Sequence, residues 1–73
     1  MEITGKTPAE RFASCMRSRK GDLQVTWEDV ARATGCSVSS IKLYASGEVM
    51  PRIDKAVRIA QYLGFRLEAI ATN

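Results

Sequence analysis

Apolar residues recur along most of the chain at the three- and four-residue spacing of an α-helix. Phe12, Cys15 and Met16 lie on one such face, and Val30 and Ala31 begin another. A longer stripe comprises Ile53, Ala56, Val57, Ala60 and Leu63. The pattern predicts four short helices, over residues 8–20, 27–34, 38–46 and 52–63.

Start and stop signals bound these predicted helices. A hydroxyl residue that can accept hydrogen bonds from first-turn amides precedes each of the first three, at Thr7, Thr26 and Ser37. Glu10 and Asp29 can complete capping boxes with the two threonines. A glycine stands at each predicted carboxyl end, at positions 21, 35, 47 and 64. Residues 21–25 are therefore predicted to form a loop, anchored to the core by Leu23 and Val25.

The carboxyl-terminal tail is open to two interpretations. Residues 65–71 show the two-residue period of a strand, which favours a short strand over a fifth helix. A lone strand needs a partner, either residues 1–4 or the same strand of a second subunit. The predicted fold is thus a single all-α domain of four to five helices, with a core over residues 7–64. The tail, residues 65–73, is a candidate dimerisation element. As a short β-strand, it would pair with the same strand of a second subunit.

Composition places the chain among small globular domains. Its 73 residues are 45% hydrophobic and 26% charged, which suits one domain. No apolar run approaches the length of a membrane helix, and residues 1–7 lack the apolar centre of a signal peptide. We therefore expect a cytoplasmic location and no contact with a membrane.

Residue chemistry argues against an enzyme. The chain has no histidine, which removes the commonest general base and the commonest metal ligand. Its carboxylates serve predicted caps or lie scattered, and its serines have no neighbouring base other than Lys42. Cys15 and Cys36 are expected to be reduced thiols. We expect no catalytic residue, metal, cofactor or small-molecule ligand.

The charge is weakly basic, with a net value of +3. Such a domain can bind a polyanion, although many inert domains are equally basic. Arg17, Arg19 and Lys20 cluster at the predicted carboxyl end of the first helix. They suit either compensation of the helix dipole or phosphate binding, and the first alternative is favoured.

Two short helices joined by a tight turn at Gly35 predict that one helix projects from the surface. Ala31 is small enough to let the following helix cross closely, and Ile41 can fill the gap between the two. The projected helix, over residues 38–46, has the width that fits the DNA major groove, about 12 Å across.

From residue 26 to residue 63, with the capped first helix before it, the chain resembles the lambda-repressor-like helix-turn-helix domain, also called the Cro/CI or XRE family. The resemblance is carried by the joint spacing of Val30-Ala31, Gly35-Cys36-Ser37, Ser40-Ile41, Gly47-Glu48, Pro51, Ile59-Ala60 and Leu63-Gly64. It implies a transcriptional regulator whose partner is double-stranded DNA. The implied protein is a small prokaryotic or phage repressor, located at the nucleoid or in the host cytoplasm, that binds a pseudo-palindromic operator as a homodimer.

The resemblance also implies which residues touch DNA. The third helix would read bases with Val38, Ser39, Lys42 and Leu43. Of these, Ser39 and Lys42 can form hydrogen bonds, and the other two can contact thymine methyl groups. Because the family often has Gln, Arg or Asn there, specificity would rest partly on DNA shape.

The remaining implied contacts are to the DNA backbone or the minor groove. They involve Thr26, Trp27, Ser46, Arg52 and Lys55. Trp27 stands where relatives commonly have Gln, and its alternative role is to pack on the first helix. Arg52 resembles the arginine that enters the minor groove in some relatives.

The implied dimer would use apolar side chains of the fourth helix and the tail, namely Ile59, Tyr62, Phe65 and Leu67. A different class of function is also open, in which the fold binds another protein. Such a module, for example an antitoxin or an inhibitor of another regulator, would use the apolar surface around the third helix.

Overall fold

The computed structural model describes residues 7–67, and within that range all regular secondary structure is helical. The elements are α1 (Pro8–Leu23), α2 (Trp27–Thr34), α3 (Val38–Ser46) and α4 (Ile53–Leu63). The prediction of an all-α helical bundle is confirmed. None of these four helices has the length and apolar character that crossing a membrane requires.

The predicted amino-terminal caps are present. Thr7 and Glu10 form a capping box, in which the Thr7 hydroxyl accepts from the Glu10 amide at 3.1 Å and the Glu10 carboxylate accepts from the Thr7 amide at 3.1 Å. Thr26 and Asp29 form the same arrangement at α2. Ser37 caps α3 through the Ser40 amide, also at 3.1 Å. These local hydrogen bonds explain why the helix starts could be read from the sequence.

The carboxyl end of α1 was predicted wrongly. The helix runs through Gly21 to Leu23 and ends at Gln24, which has a left-handed backbone with φ of 56°. A glycine inside a helix costs only about 0.5–1 kcal/mol, which the packing of a long helix can offset. Leu23 is consequently exposed and does not anchor a loop, whereas Val25 is half-buried and packs on the core.

All four helices contribute to one core. Its largest fully buried side chains are Phe12, Cys15, Met16, Val30, Ile41, Ile59 and Leu63. α3 packs against both α1 and α2, and α4 packs against the same two helices. The stripe predicted for the first helix is therefore confirmed as its core face.

The inward face of α4 differs from the prediction. Ala56, Ala60 and Leu63 are buried as expected, but Ile53 is 73% exposed and Val57 is only half-buried. Ile53 is the first residue of the helix, and no neighbouring helix covers it. Ile59, which the prediction had not placed on this face, is fully buried.

The tail begins in the core. The Phe65 ring lies edge-on to Phe12, with ring centroids 5.3 Å apart. Phe65 and Arg66 have no regular secondary structure, and Leu67 lies in a turn. The predicted strand or fifth helix therefore does not begin at Phe65, and its remainder falls outside the described residues, as does the alternative partner strand at residues 1–4.

Two glycines provide a matched test of backbone conformation. Gly64 has φ of +84°, and a Cβ atom there would lie 3.3 Å from Arg19 Nη2, whereas a Cβ atom at Gly21 would meet nothing within 4 Å. We expect Gly64→Ala to lower the free energy of unfolding by about 1–2 kcal/mol. Gly21→Ala should raise it by about 0.5–1 kcal/mol, because Gly21 lies inside a helix. Urea denaturation of the two variants measures both, and changes of equal sign would contradict this account.

Candidate nucleic-acid interface

α2 and α3 are joined by a short turn that is closed by hydrogen bonds. The Cys36 amide donates to the Ala31 carbonyl at 3.1 Å, and the Thr34 hydroxyl donates to the Val30 carbonyl at 2.7 Å. Ala31 and Ile41 are both buried, as the close crossing of the two helices requires. The turn therefore orients the amino end of α3 relative to α2.

One side of α3 is buried and the other is uncovered. Ile41, Tyr44 and Ala45 lie in the core. We call the opposite side the outer face of α3; it comprises the exposed residues Ser39, Lys42, Leu43 and Ser46. Leu43 is 40% exposed although it is apolar, so this face offers both polar and apolar contacts. Val38 belongs to the face only in part, because it is half-buried against the core.

The amino ends of α2 and α3 differ in charge. α3 has no acidic residue in its first turn, and its cap is built from hydroxyls, with Ser37 Oγ donating to Ser40 Oγ at 2.9 Å. α2 carries Glu28 and Asp29 in its first turn. A phosphate near the amino end of α2 would meet these two carboxylates, so the amino end of α3 is electrostatically the better place for an anion.

Asp29 is held as a carboxylate by its cap. The Thr26 backbone amide donates to Asp29 Oδ2 at 3.0 Å, and this hydrogen bond, with the Thr26 hydroxyl and the charge of Arg32, lowers the pKa of Asp29. Thr26 thus remains a predicted DNA contact, but its amide and hydroxyl are already engaged within α2.

Trp27 takes the packing role considered for it, and its contact with DNA stays a prediction. The side chain is half-buried against the core, and Lys20 Nζ lies 5.1 Å from its ring centroid, within the range of a cation–π contact. Trp27 therefore packs on the end of α1 and keeps part of its surface open. Lys20 is held beside the acidic amino end of α2 by the same contact.

Arg17 and Arg19 of α1 donate to carbonyls at the ends of other helices, which neither sequence interpretation anticipated. Arg17 Nη1 donates to the Ala45 carbonyl near the carboxyl end of α3. Arg19 Nε donates to the Leu63 carbonyl at the end of α4 at 2.8 Å, and its Nη1 pairs with Asp22 at 3.0 Å. The partners lie 28 and 44 residues away in sequence, so no local pattern could have revealed them.

The segment from α3 to α4 contains the other predicted backbone contacts. Ser46 Oγ donates to the Leu43 carbonyl at 2.6 Å and accepts from the Glu48 amide at 3.4 Å. Arg52 is exposed at the cap position of α4 and makes no side-chain capping hydrogen bond, and Lys55 follows half-buried in the first turn. Arg52 and Lys55 thus place two cations at the amino end of α4, although Asp54 lies there too.

The predicted dimer contacts separate into two groups. Ile59 is fully buried and Phe65 is 9% exposed, so both belong to the core of the single chain and have almost no surface for a partner. Their assignment to a dimer interface was wrong, because both side chains are buried against other helices of the same chain. Tyr62 is 38% exposed and Leu67 is half-buried, so these two remain predicted contacts.

The cysteines are free thiols in different surroundings. Cys15 lies in the core, where burial raises the pKa of its thiol, and Cys36 is half-buried in the turn between α2 and α3. Among residues 7–67, no three histidine, cysteine, aspartate or glutamate side chains are grouped so that they could hold a metal ion.

Comparison with known families agrees with this geometry. A family described as helix-turn-helix matches residues 16–70. The chain therefore belongs to the XRE/lambda-repressor-like helix-turn-helix family, whose members are DNA-binding regulatory domains. Searches among curated proteins and among solved structures found no significant match. The protein is thus a DNA-binding helix-turn-helix regulator, as the resemblance implied.

The Asp29 cap predicts how stability depends on pH. Because folding lowers the pKa of this carboxyl below its ordinary value of 3.8, its contribution is present above that pH and is lost as the pH falls through the lowered value. We expect Asp29→Asn to reduce the urea midpoint at neutral pH and to match the wild type in strong acid. A difference that stays constant over the whole titration would contradict this role.

Proposed function

We propose that this protein is a sequence-specific transcriptional repressor that inserts α3 into the major groove of double-stranded DNA. The observation that supports the proposal is the solvent-exposed outer face of α3, which lies opposite the side of the helix that is buried in the core. We take the repressor to be a small prokaryotic or phage regulator that acts in the cytoplasm.

Base recognition would depend on few side chains. Lys42 is the only charged residue of the outer face and can donate to guanine O6 or N7. Ser39 can donate or accept near the amino end, and Leu43 can contact thymine methyl groups. Val38 has less free surface and would contribute at its exposed edge. With so few donors, the sequence-dependent width and stiffness of DNA would supply part of the specificity.

Backbone contacts would lie mainly toward α4. The carboxylates of Glu28 and Asp29 disfavour a phosphate at the amino end of α2, so Thr26 and Trp27 would contribute less than in relatives. Arg52 and Lys55 have a single carboxylate beside them in the first turn of α4, that of Asp54. The Ser46 hydroxyl could donate to a phosphate oxygen only by giving up its hydrogen bond to the Leu43 carbonyl. Arg52 would enter a narrow minor groove, whose potential is most negative.

A two-fold homodimer completes the proposal. A dimer would place two copies of α3 about one helical turn of DNA apart, on a pseudo-palindromic operator. The exposed ring of Tyr62 and the half-buried Leu67 would form its contact.

A second candidate function has its own observation. Val49, Met50 and Ile53 are exposed large hydrophobic residues between α3 and α4 or at the start of α4, and Leu43 is exposed on α3. A protein partner could cover such side chains, as expected for an antitoxin or an inhibitor of another regulator. Binding to DNA would weaken steeply with salt, with a logarithmic slope of about −0.9 per neutralised phosphate, whereas an apolar protein contact would not.

Lys42 gives the sharpest test of base reading. An operator is first selected from random duplexes, and binding is then measured on it and on a scrambled duplex. We expect Lys42→Ala to lose about 1–3 kcal/mol on the operator and much less on the scrambled sequence. The matched control is Arg32→Ala, since Arg32 is an exposed cation of α2 outside the predicted contact set. Equal losses on both duplexes would reassign Lys42 to a phosphate.

The dimer is tested by sedimentation of the free protein. We expect the wild type to sediment as a dimer at tens of micromolar and Tyr62→Asp to sediment as a folded monomer, because Tyr62 is exposed in the single chain. The melting temperature of the variant should no longer depend on protein concentration, because the dimer stabilises the folded state by mass action. Leu23→Asp is the control, since Leu23 is equally exposed but lies on α1. A monomeric wild type would remove the dimer from the proposal.

A further inference from the structure

The carboxyl end of α3 is attached to α1 at two points. The backbone of Gly47 lies against α1 so closely that a Cβ atom there would be 3.5 Å from Glu10 Cα and 3.6 Å from Ala13 Cβ. The second point is the hydrogen bond from Arg17 to the Ala45 carbonyl. Residues 10, 13 and 17 share one face of α1, and Arg17 lies about 6 Å along the axis from Ala13 and about 10 Å from Glu10, since each residue rises 1.5 Å.

Two of the last carbonyls of α3 are satisfied by the end of the helix itself. The Leu43 carbonyl accepts from the Ser46 hydroxyl, and the Tyr44 carbonyl accepts from the Gly47 amide. The Ala45 carbonyl has Arg17 as its partner, which is a side chain of a different helix. This hydrogen bond therefore both satisfies a carbonyl in the last turn of α3 and connects α3 to α1.

We infer that Arg17 is a positioning residue for DNA recognition, which sets the angle of α3 through its hydrogen bond to the Ala45 carbonyl. The packing of Ile41, Tyr44 and Ala45 fixes where α3 lies on α1 and α2, and a directional hydrogen bond to its last turn further restrains its tilt. The inference rests on the proposed function for its consequence on binding, but the angle itself is a property of the free protein.

A small pivot would matter at the bases. α3 has nine residues and is about 13 Å long, so a rotation of about 10° about its carboxyl end moves its amino end by about 2 Å. Hydrogen bonds to base edges tolerate only a few tenths of an ångström. Phosphate contacts by flexible lysines and arginines tolerate larger displacements. A change in the orientation of α3 should therefore reduce discrimination between operator and other sequences more than it reduces general affinity for DNA.

The test compares Arg17→Met with Arg32→Met, because each variant removes one exposed cation. Affinity is measured over a salt series on the selected operator and on a scrambled duplex. We expect the two variants to lose similar affinity for the scrambled duplex. Only Arg17→Met should lower the ratio of operator to scrambled affinity, by about tenfold, the effect of one net hydrogen bond.

A second readout needs no DNA. Residual dipolar couplings of backbone amides report the direction of α3 relative to α1 in the free protein. We expect α3 to be reoriented in Arg17→Met and unchanged in Arg32→Met, with melting temperatures that keep both variants folded. Arg17→Lys keeps the charge and a single donor, so it should fall between the wild type and Arg17→Met; if Arg17→Met fails to fold, this variant carries both measurements.

Three outcomes would overturn the inference. One is an equal change of the affinity ratio in Arg17→Met and Arg32→Met. Another is an unchanged direction of α3 in Arg17→Met. The third is a salt slope that Arg17→Met reduces by about 0.9 more than the control, which would make Arg17 a phosphate contact. If the wild type shows no sequence discrimination, the proposed function fails, and the couplings still decide whether Arg17 holds α3.

Discussion

The structure depends on the burial of one side of α3. A nine-residue helix is too short to persist alone in water, so α3 exists because Ile41, Tyr44 and Ala45 pack against α1 and α2. The same burial leaves the outer face open. Stability depends on one side of this short helix and the proposed DNA contact on the other, so a change on the inner side would disturb the outer one.

Several basic side chains already make contacts within the folded chain. Arg17 and Arg19 satisfy carbonyls of α3 and α4, and Lys20 lies over Trp27. Two carboxylates occupy the first turn of α2, where relatives would receive a phosphate. The net charge of +3 thus overstates the positive charge that is available to a polyanion. DNA binding would depend more on exposed cations such as Lys42 and Arg52.

Local patterns predicted most of the fold. Hydroxyl caps at Thr7, Thr26 and Ser37 and the spacing of buried residues located all four helices, because capping bonds and helix faces involve residues a few positions apart. The errors concern residues whose surroundings are distant in sequence. Gly21 stays in α1 directly after Arg19 and Lys20, which contact the end of α4 and Trp27, and Ile53 is exposed because no neighbouring helix reaches it.

For the candidate site, the sequence by itself determined the outer face of α3, since Ser39, Lys42 and Leu43 follow from helical periodicity once Ile41 is placed in the core. It also determined the family, through the joint spacing of many weak signals. Only the tertiary structure decided that Ile59 and Phe65 lie inside the single chain, and that Arg17 holds the end of α3. The physical reason is that burial and capping by a distant side chain depend on which helices meet in space, and no short stretch of sequence contains that information.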